Sequence, residues 1–250
     1  MMLSFTDFLI TEEEQRKPGL HVFDIDGTLL NPTAKVLVKN KKTGGTTELS
    51  HSEFNGHKLA PHEEYDFSQF KSSDKFHESK PIHRMVSKLN KIHDNAKKVG
   101  SKVIMNTARG DFDNKDKFLD KFREHGVDID NIHVHRTGND KSDKPVGEKK
   151  NDVVRNYLNK GDYRHVTMYD DDKNNLKSFL GLKKEYPHVQ FNAHHVQPSG
   201  SIKRYKEEEW FFMPSYEFLN KKTKKLEEHV MPISAYDSFK AKNPHLERYY

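Results

Sequence analysis

Apolar and polar positions follow two alternating periods along the middle of the chain. Short apolar runs that predict buried strands lie at residues 20–23, 102–106, 132–135, 165–169 and 189–196. Segments with apolar residues at helical spacing separate them, at residues 81–99, 114–125, 150–158 and 174–186. This alternation predicts an α/β fold, in which a Rossmann-like parallel sheet carries helices on both faces.

Residues 31–80 interrupt this alternation. Strand-like segments at residues 35–39 and 46–49 flank residues 41–45, whose sequence Lys-Lys-Thr-Gly-Gly is typical of a hairpin turn. We therefore predict a small cap, inserted after the first strand and placed over the ligand site. The predicted organisation is an N-terminal leader or tail at 1–17, a core at 18–196 that contains the cap at 31–80, and a C-terminal extension at 197–250 without an assigned role.

Composition restricts the classes of function. Charged residues interrupt every apolar run well before the roughly 20 positions that a membrane-spanning helix needs, so no membrane partner is expected. The absence of cysteine excludes disulfides and cysteine nucleophiles and agrees with a cytoplasmic location. The formal net charge of +5 favours anionic ligands but is too small to indicate nucleic acid by itself.

Two aspartates stand at the end of the first predicted strand. Asp24 and Asp26 follow the apolar run at 20–23 and lead into Gly27 and Thr28. Side chains alternate along a strand, so the two carboxylates start on one side, and the glycine lets the backbone curl around a small anion. Such close carboxylates repel each other, and a divalent cation with oxygen ligands relieves the repulsion. This segment indicates a metal and phosphate site; a structural turn capped by Asp is the alternative.

Residues 24–28 resemble the first motif, DxDGT, of the haloacid dehalogenase (HAD) superfamily. The resemblance covers about residues 18–196 and implies three further groups at later strand ends. A hydroxyl for the phosphoryl oxygens is matched by Thr107, which follows the second predicted strand. Arg109, two residues later, offers a planar fork suited to phosphate.

The superfamily also places a cation and an acidic pair at strand ends. We choose Lys150, at the start of a predicted helix, as the cation and keep Lys144 as its rival. Asp170 and Asp171 match the fourth motif, in which an apolar strand runs into two acids. Asp172 is the candidate to cap the following helix.

The resemblance implies a phosphomonoesterase that forms an aspartyl-phosphate. Asp24 would attack phosphorus, and Asp26 would act as general acid and base. Mg²⁺ would be held by Asp24, the carbonyl of Asp26 and an acid of the pair Asp170 and Asp171. The groups expected to contact the phosphoryl group or substrate are Gly27, Thr28, Thr107, Arg109 and Lys150.

Two further segments bear on the class of substrate. Residues 107–109 and 149–154 resemble the phosphatase domain of phage polynucleotide kinase/phosphatase, which implies a nucleic-acid 3′-phosphate. The sequence contains no G-x-x-x-x-G-K-[ST] kinase loop. A nucleotide or another small phosphomonoester therefore remains the alternative substrate. The sequence does not predict an oligomeric state.

Residues 2–12 carry a separate resemblance. They are apolar and then acidic, like the capsid-targeting leader of internal head proteins in large tailed phages, and residues 10–12 resemble the site cut by the prohead protease. An ordinary amphipathic first turn is the alternative. A leader implies a bacteriophage enzyme in the host cytoplasm that associates with the prohead and is packaged in the virion. The rival function is a phage internal or nucleic-acid-binding protein with a non-catalytic HAD fold.

Overall fold

The computed structural model describes residues 18–54, 56–206, 215–230 and 236–249. The segment predicted as a leader, residues 1–17, lies outside them. The chain divides into two units, Met1–Tyr205 and Lys206–Tyr250. Each unit is described by itself.

The first unit contains the strands and helices expected from the apolar pattern. Its strands are β1 (Gly19–Phe23), β2 (Leu30–Asn31), β3 (Val36–Asn40), β4 (Thr46–Leu49), β5 (Glu63–Asp66), β6 (Lys80–Pro81), β7 (Lys102–Thr107), β8 (His133–Arg136), β9 (His165–Asp170), β10 (Gln190–Val196) and β11 (Ile202–Tyr205). Its α-helices are α1 (His51–Phe54), α2 (Ser73–His77), α3 (His83–Val99), α4 (Lys115–Arg123), α5 (Val146–Lys160) and α6 (Lys173–Gly181). No helix among the described residues combines the length and the apolar character needed to cross a bilayer.

The central sheet has six strands in the order β11-β10-β9-β1-β7-β8. Neighbouring strands are parallel except β10 and β11, which are antiparallel. The predicted α/β class with a mostly parallel, Rossmann-like sheet is confirmed. The core was expected to end at residue 196, but β11 adds a further strand and extends the sheet to Tyr205.

Apolar clusters cover both faces of the sheet. Successive residues of β1 point to opposite faces, so this strand contributes side chains to both clusters. Leu20 and Val22 pack in one apolar cluster with α5 and α6 through Val154 and Leu176. Phe23 packs in a second cluster on the opposite face, where α3 and α4 contribute Met85, Val86, Leu89, Phe118 and Phe122. A strand that is buried on both faces has little room to shift its register, so its carboxyl end is fixed.

Helix bounds differ from the predicted ones mainly at α5 and α6. The predicted helix at 150–158 begins four residues earlier, at Val146, directly after Pro145. Proline fixes its own backbone angle and is well suited to a helix start. The predicted helix at 174–186 ends as an α-helix at Gly181 and continues as a 3₁₀ turn, Leu182–Lys184. Asp172 caps α6 as expected, since its side chain accepts the N–H of Asn174 at 2.8 Å.

The segment predicted as a cap, and called the cap below, contains a three-stranded antiparallel sheet between β1 and α3. Its strand order is β4-β3-β5, and α1 connects β4 to β5. The second unit contains β12 (Ser215–Asn220), β13 (Leu226–Val230), α7 (Tyr236–Lys242) and β14 (Leu246–Arg248). Its strand order is β13-β12-β14, so each sheet has a hairpin, a helix and a third strand that pairs with the first.

The likeness between these two small sheets extends to individual hydrogen bonds. Both hairpin turns begin with the sequence Asn-Lys-Lys-Thr, at Asn40 and at Asn220. Each asparagine side chain accepts two N–H groups of its own turn. The N–H of Lys41 donates to the carbonyl of His62, as that of Lys221 donates to the carbonyl of His245. The C-terminal sheet is therefore a second copy of the cap plan.

The half-buried histidine of β1, His21, predicts how stability depends on pH. Burial, with the charges of His165 and Lys88, lowers the pKa of His21 from 6.5 to about 4. The unfolded chain therefore binds this proton at a higher pH than the folded chain does, and stability is lost as the pH falls through this window. We expect His21→Gln to reduce the loss of unfolding free energy between pH of about 7 and about 4.5, measured by urea unfolding. The exposed His188→Gln is the control, and an equal pH dependence of both variants would contradict the assignment.

Candidate active site

The candidate site lies where three central strands end. β1 is flanked by β9 and β7, so the carboxyl ends of the three parallel strands meet. They bring together Asp24, Asp170 and Thr107, and the N–H of Asp24 donates to the carbonyl of Tyr169 at 2.9 Å. The strands of this sheet that follow β1 in the chain, β7 and β8, lie on one side of it, and the later strands lie on the other side. Open α/β sheets bind ligands at the point where the strand order reverses in this way.

Three carboxylates form the acidic part of the site. Asp24, Asp170 and Asp171 each offer an oxygen, and these oxygens lie within 4.8 Å of one another. Carboxylate oxygens are hard ligands of the kind that divalent cations such as Mg²⁺ prefer. This trio therefore fits a divalent metal ion. The side chain of Asp26 is not part of the trio.

Lys150 is the cation inside this acidic group. Its Nζ lies 2.6 Å from Oδ1 of Asp24 and 2.7 Å from Oδ2 of Asp170. Its position is fixed by α5, and its carbonyl accepts the side-chain N–H of Asn106 at 3.0 Å. Lys144, the rival in the sequence analysis, instead pairs with Asp152 at the surface, at 2.7 Å.

Burial controls the protonation of these groups. Burial raises the pKa of Asp24 well above its usual value, and the neighbouring carboxylates raise it further while Lys150 lowers it. Burial alone would lower the pKa of Lys150, but the charges of Asp170 and Asp24 outweigh it and raise that pKa. Lys150 supplies one positive charge beside three carboxylates, so the site favours additional positive charge.

The turn after β1 holds Gly27 against the acidic trio. Gly27 has φ of 76°, and a Cβ atom there would lie 2.4 Å from Oδ2 of Asp171. Glycine is required both by the left-handed backbone and by this close approach. The N–H groups of Gly27 and Thr28, which the sequence suggested as substrate donors, donate within the turn to the carbonyls of Leu30 and Ile25. The hydroxyl of Thr28 is buried and has no hydrogen-bond partner among the residues that the structure describes.

Arg109 is directed at Asp26. Its Nε and Nη2 donate to the two carboxylate oxygens of Asp26 at 2.6 and 2.7 Å, and Nη1 donates to the carbonyl of Phe70 at 2.9 Å. The guanidinium also lies against the rings of Phe70, Phe76 and Phe112. The fork expected to bind phosphate thus holds the second aspartate of the motif in a fixed orientation.

Thr107 is buried at the end of β7. Its hydroxyl accepts the N–H of Arg109 at 3.2 Å, and its carbonyl accepts the hydroxyl of Thr137 at 2.8 Å. These bonds fix the strand end beside Asp24. The structure therefore brings the predicted threonine and the predicted lysine to the same strand-end region as the predicted carboxylates.

Comparison with known proteins finds no sequence match and a structural similarity of low sequence identity. No family model and no curated protein matches the chain. A solved structure, the HAD domain of effector protein Lem4 from Legionella pneumophila, is similar to this chain. The similarity covers 74% of this chain and 88% of that one, with 14% sequence identity and a TM-score of 0.45. Because this similarity is low, the chemistry of the site is inferred from the residues of this chain alone.

Two site residues were not predicted from the sequence. His51, the first residue of α1 in the cap, lies with Nε2 3.0 Å from Oδ2 of Asp171. Burial disfavours its protonation, but the carboxylate of Asp171 outweighs burial and raises the pKa of His51 to about 9. Asn175 of α6 donates to Asp170 at 3.1 Å. Neither residue belongs to the strand-end pattern, and His51 is one of sixteen scattered histidines.

Replacing the buried cation tests the electrostatics of the site. We expect Lys150→Met to lower the unfolding free energy by roughly 3–5 kcal/mol near neutral pH, because it leaves buried carboxylates uncompensated. Since these carboxylates then bind protons more readily when folded, the deficit should shrink as the pH falls toward about 4. Urea unfolding without divalent cations measures both effects.

The matched control for this measurement is Lys144→Met. Its ion pair with Asp152 lies at the surface, so its loss should cost less than about 1 kcal/mol. Equal losses in the two variants, or a Lys150→Met deficit that does not change with pH, would show that Lys150 does not neutralise the site.

Proposed function

We propose that this protein is a Mg²⁺-dependent phosphomonoester hydrolase of the HAD type, acting through an aspartyl-phosphate on Asp24. The observation that carries the proposal is the environment of Asp24. This carboxylate ends the central strand, contacts a buried lysine at 2.6 Å and belongs to a trio of acids that fits a divalent ion. A nucleophilic carboxylate needs such nearby positive charge, because phosphoryl oxygens otherwise repel it.

Each residue of the site has a role in this reaction. Asp24 attacks phosphorus and forms the acyl phosphate, and Lys150 neutralises negative charge beside it. Thr107, at the end of the neighbouring strand, offers a hydroxyl to the phosphoryl oxygens. Mg²⁺, held by Asp24, Asp170 and Asp171, would supply charge neutralisation of the transferring group.

Asp26 is the proposed general acid and base. It would donate a proton to the leaving oxygen and later remove one from the hydrolytic water. The two hydrogen bonds from Arg109 restrict the rotation of its carboxyl group. Arg109 thus acts by positioning Asp26, and orientation of this kind contributes to catalytic rate.

The proposed substrate is a nucleotide or a nucleic-acid end that carries a 3′-phosphate. This part of the proposal is supported by residues 107–109 and 149–154, which resemble a polynucleotide phosphatase domain. In this proposal the inserted segment would restrict entry, which the contact of His51 in α1 with Asp171 supports.

Removing the nucleophile tests the reaction. The unaltered protein should release phosphate from an aryl phosphate when Mg²⁺ is present, and Asp24→Asn should lower kcat by a factor on the order of 10³ or more. The surface substitution Asp152→Asn is the matched control and should leave turnover unchanged. Phosphate release is followed with aryl phosphates, nucleotides and 3′-phosphorylated oligonucleotides.

A lack of Mg²⁺-dependent turnover on all these substrates would refute the enzyme. Salt-sensitive nucleic-acid binding that persists in Asp24→Asn, again without turnover, would favour the non-catalytic binding protein instead.

Arg109→Lys tests whether Arg109 acts on Asp26 or on phosphate. Lysine keeps the charge but loses the two-pronged contact, so we expect kcat to fall by roughly 10- to 100-fold with little change in KM. A rise in KM with unchanged kcat would instead assign Arg109 to ground-state phosphate binding.

A further inference from the structure

Four aromatic side chains of the cap contact one another without being buried. We call Phe54, Tyr65, Phe67 and Phe70 the cap aromatic cluster. Phe67 is central: its ring centroid lies 5.5 Å from that of Phe54, 5.8 Å from Tyr65 and 6.3 Å from Phe70. Phe67 is 44% exposed, and none of the four belongs to the apolar core clusters. The other three rings are half-buried, so the cluster is partly open to solvent, and apolar patches that reach the surface often mark binding sites.

The cap aromatic cluster reaches the candidate active site at two places. The ring of Phe70 lies 4.6 Å from the guanidinium carbon of Arg109, which holds Asp26. At the other side, Phe54 lies three residues after His51 in α1, and His51 contacts the acidic trio. Residues three apart on a helix share a face. The cluster therefore borders the proposed phosphate site.

Comparison with the C-terminal copy of the cap plan shows which aromatic positions the two sheets share. Phe239 stands three residues after the start of α7, as Phe54 does in α1, and its ring centroid lies 5.4 Å from the buried ring of Phe218. The residue paired with Phe218 on the third strand is Arg248, at the position that Tyr65 occupies in the cap. A helix aromatic thus belongs to the common plan, whereas the ring at the position of Tyr65 is present in the cap and replaced by Arg248 in the copy.

The charge of the cap limits what the cluster can bind. Residues 31–80 contain eight lysines and seven acidic residues, so the segment is nearly neutral. Lys39 pairs with Asp66 at 2.6 Å and Lys41 with Glu64 at 2.8 Å. A groove that follows a long nucleic-acid backbone needs an excess of positive charge. Contact with a single base fits this cap better than contact with a long strand.

We propose that the cap aromatic cluster is a nucleobase-stacking subsite. It binds the base of a phosphorylated nucleoside whose phosphate lies at Asp24, and in this respect it rests on the proposed function. Aromatic rings stack on any base because every base has a π face. The nucleoside is either a free nucleotide or the terminal nucleotide of a strand, since both present the same base and phosphate.

Steady-state kinetics test this subsite through Phe67, whose ring is the most exposed of the four. The ratio of kcat/KM for adenosine monophosphate to that for ribose 5-phosphate should exceed one. Phe67→Ala should lower this ratio about tenfold through KM, as expected for the loss of one stacked ring, and Phe67→Trp should restore it. Leu59→Ala removes another exposed apolar side chain of the cap, 41% exposed, and should leave the ratio unchanged.

A ratio near one in the unaltered protein, or equal effects of Phe67→Ala and Leu59→Ala, would refute the subsite. Phosphate release from aryl phosphates together with either result would leave the proposed hydrolase intact. The two proposals can therefore fail separately.

Calorimetric titration of the Asp24→Asn protein with adenosine monophosphate tests binding without turnover. Adding Phe67→Ala should weaken binding about tenfold, and this result would support the subsite even if no substrate is hydrolysed. An unchanged affinity would refute it. Titration with a 3′-phosphorylated oligonucleotide separates the two sources: tighter, salt-sensitive binding identifies a strand end, and affinity equal to that of the mononucleotide identifies a free nucleotide.

Discussion

The buried contact of Lys150 with Asp24 and Asp170 is the interaction on which the rest of the site depends. Burying several carboxylates is unfavourable unless positive charge and hydrogen bonds accompany them. Lys150 supplies that charge from α5, while Asn175 and the N–H of Asp172 bind the second carboxylate. The remaining negative charge is what makes the site suited to a divalent ion. The charge balance of the site therefore constrains both the fold and the proposed chemistry.

The geometry of the sheet brings these charged side chains together. Parallel strands carry their carboxyl ends to one edge, and the apolar clusters on both faces of β1 prevent that strand from shifting. Gly27 then allows the following turn to pass directly beside Asp171. Small backbone changes at this turn would reach the carboxylates immediately, because no side chain separates them.

Much of this arrangement could be predicted from local sequence. Strand positions follow from apolar runs, and strand-end polar residues such as Thr107 and Asp170 fall at one edge because the sheet is parallel. The orientation of Arg109 could not be predicted, since phosphate and the carboxylate of Asp26 attract the same guanidinium. The contact of His51 was hidden for another reason: it depends on how an inserted segment folds back, which no periodic pattern records. The likeness of the cap to the C-terminal sheet could not be predicted, because the two segments share few side chains outside the turn.

That repeated plan has a consequence for folding. During folding, β14 could find in β3 a partner with the same turn and hydrogen-bond pattern as β12, and β5 could likewise find β12. Loop-closure entropy opposes such an exchange, but a loop of roughly 200 residues costs only about 2 kcal/mol more than one of about 25. Correct pairing must therefore be enforced by the side chains that differ, such as Tyr65 on β5 and Arg248 on β14. Strand exchange, within one molecule or between two, is the characteristic error to which a chain with this duplication is exposed.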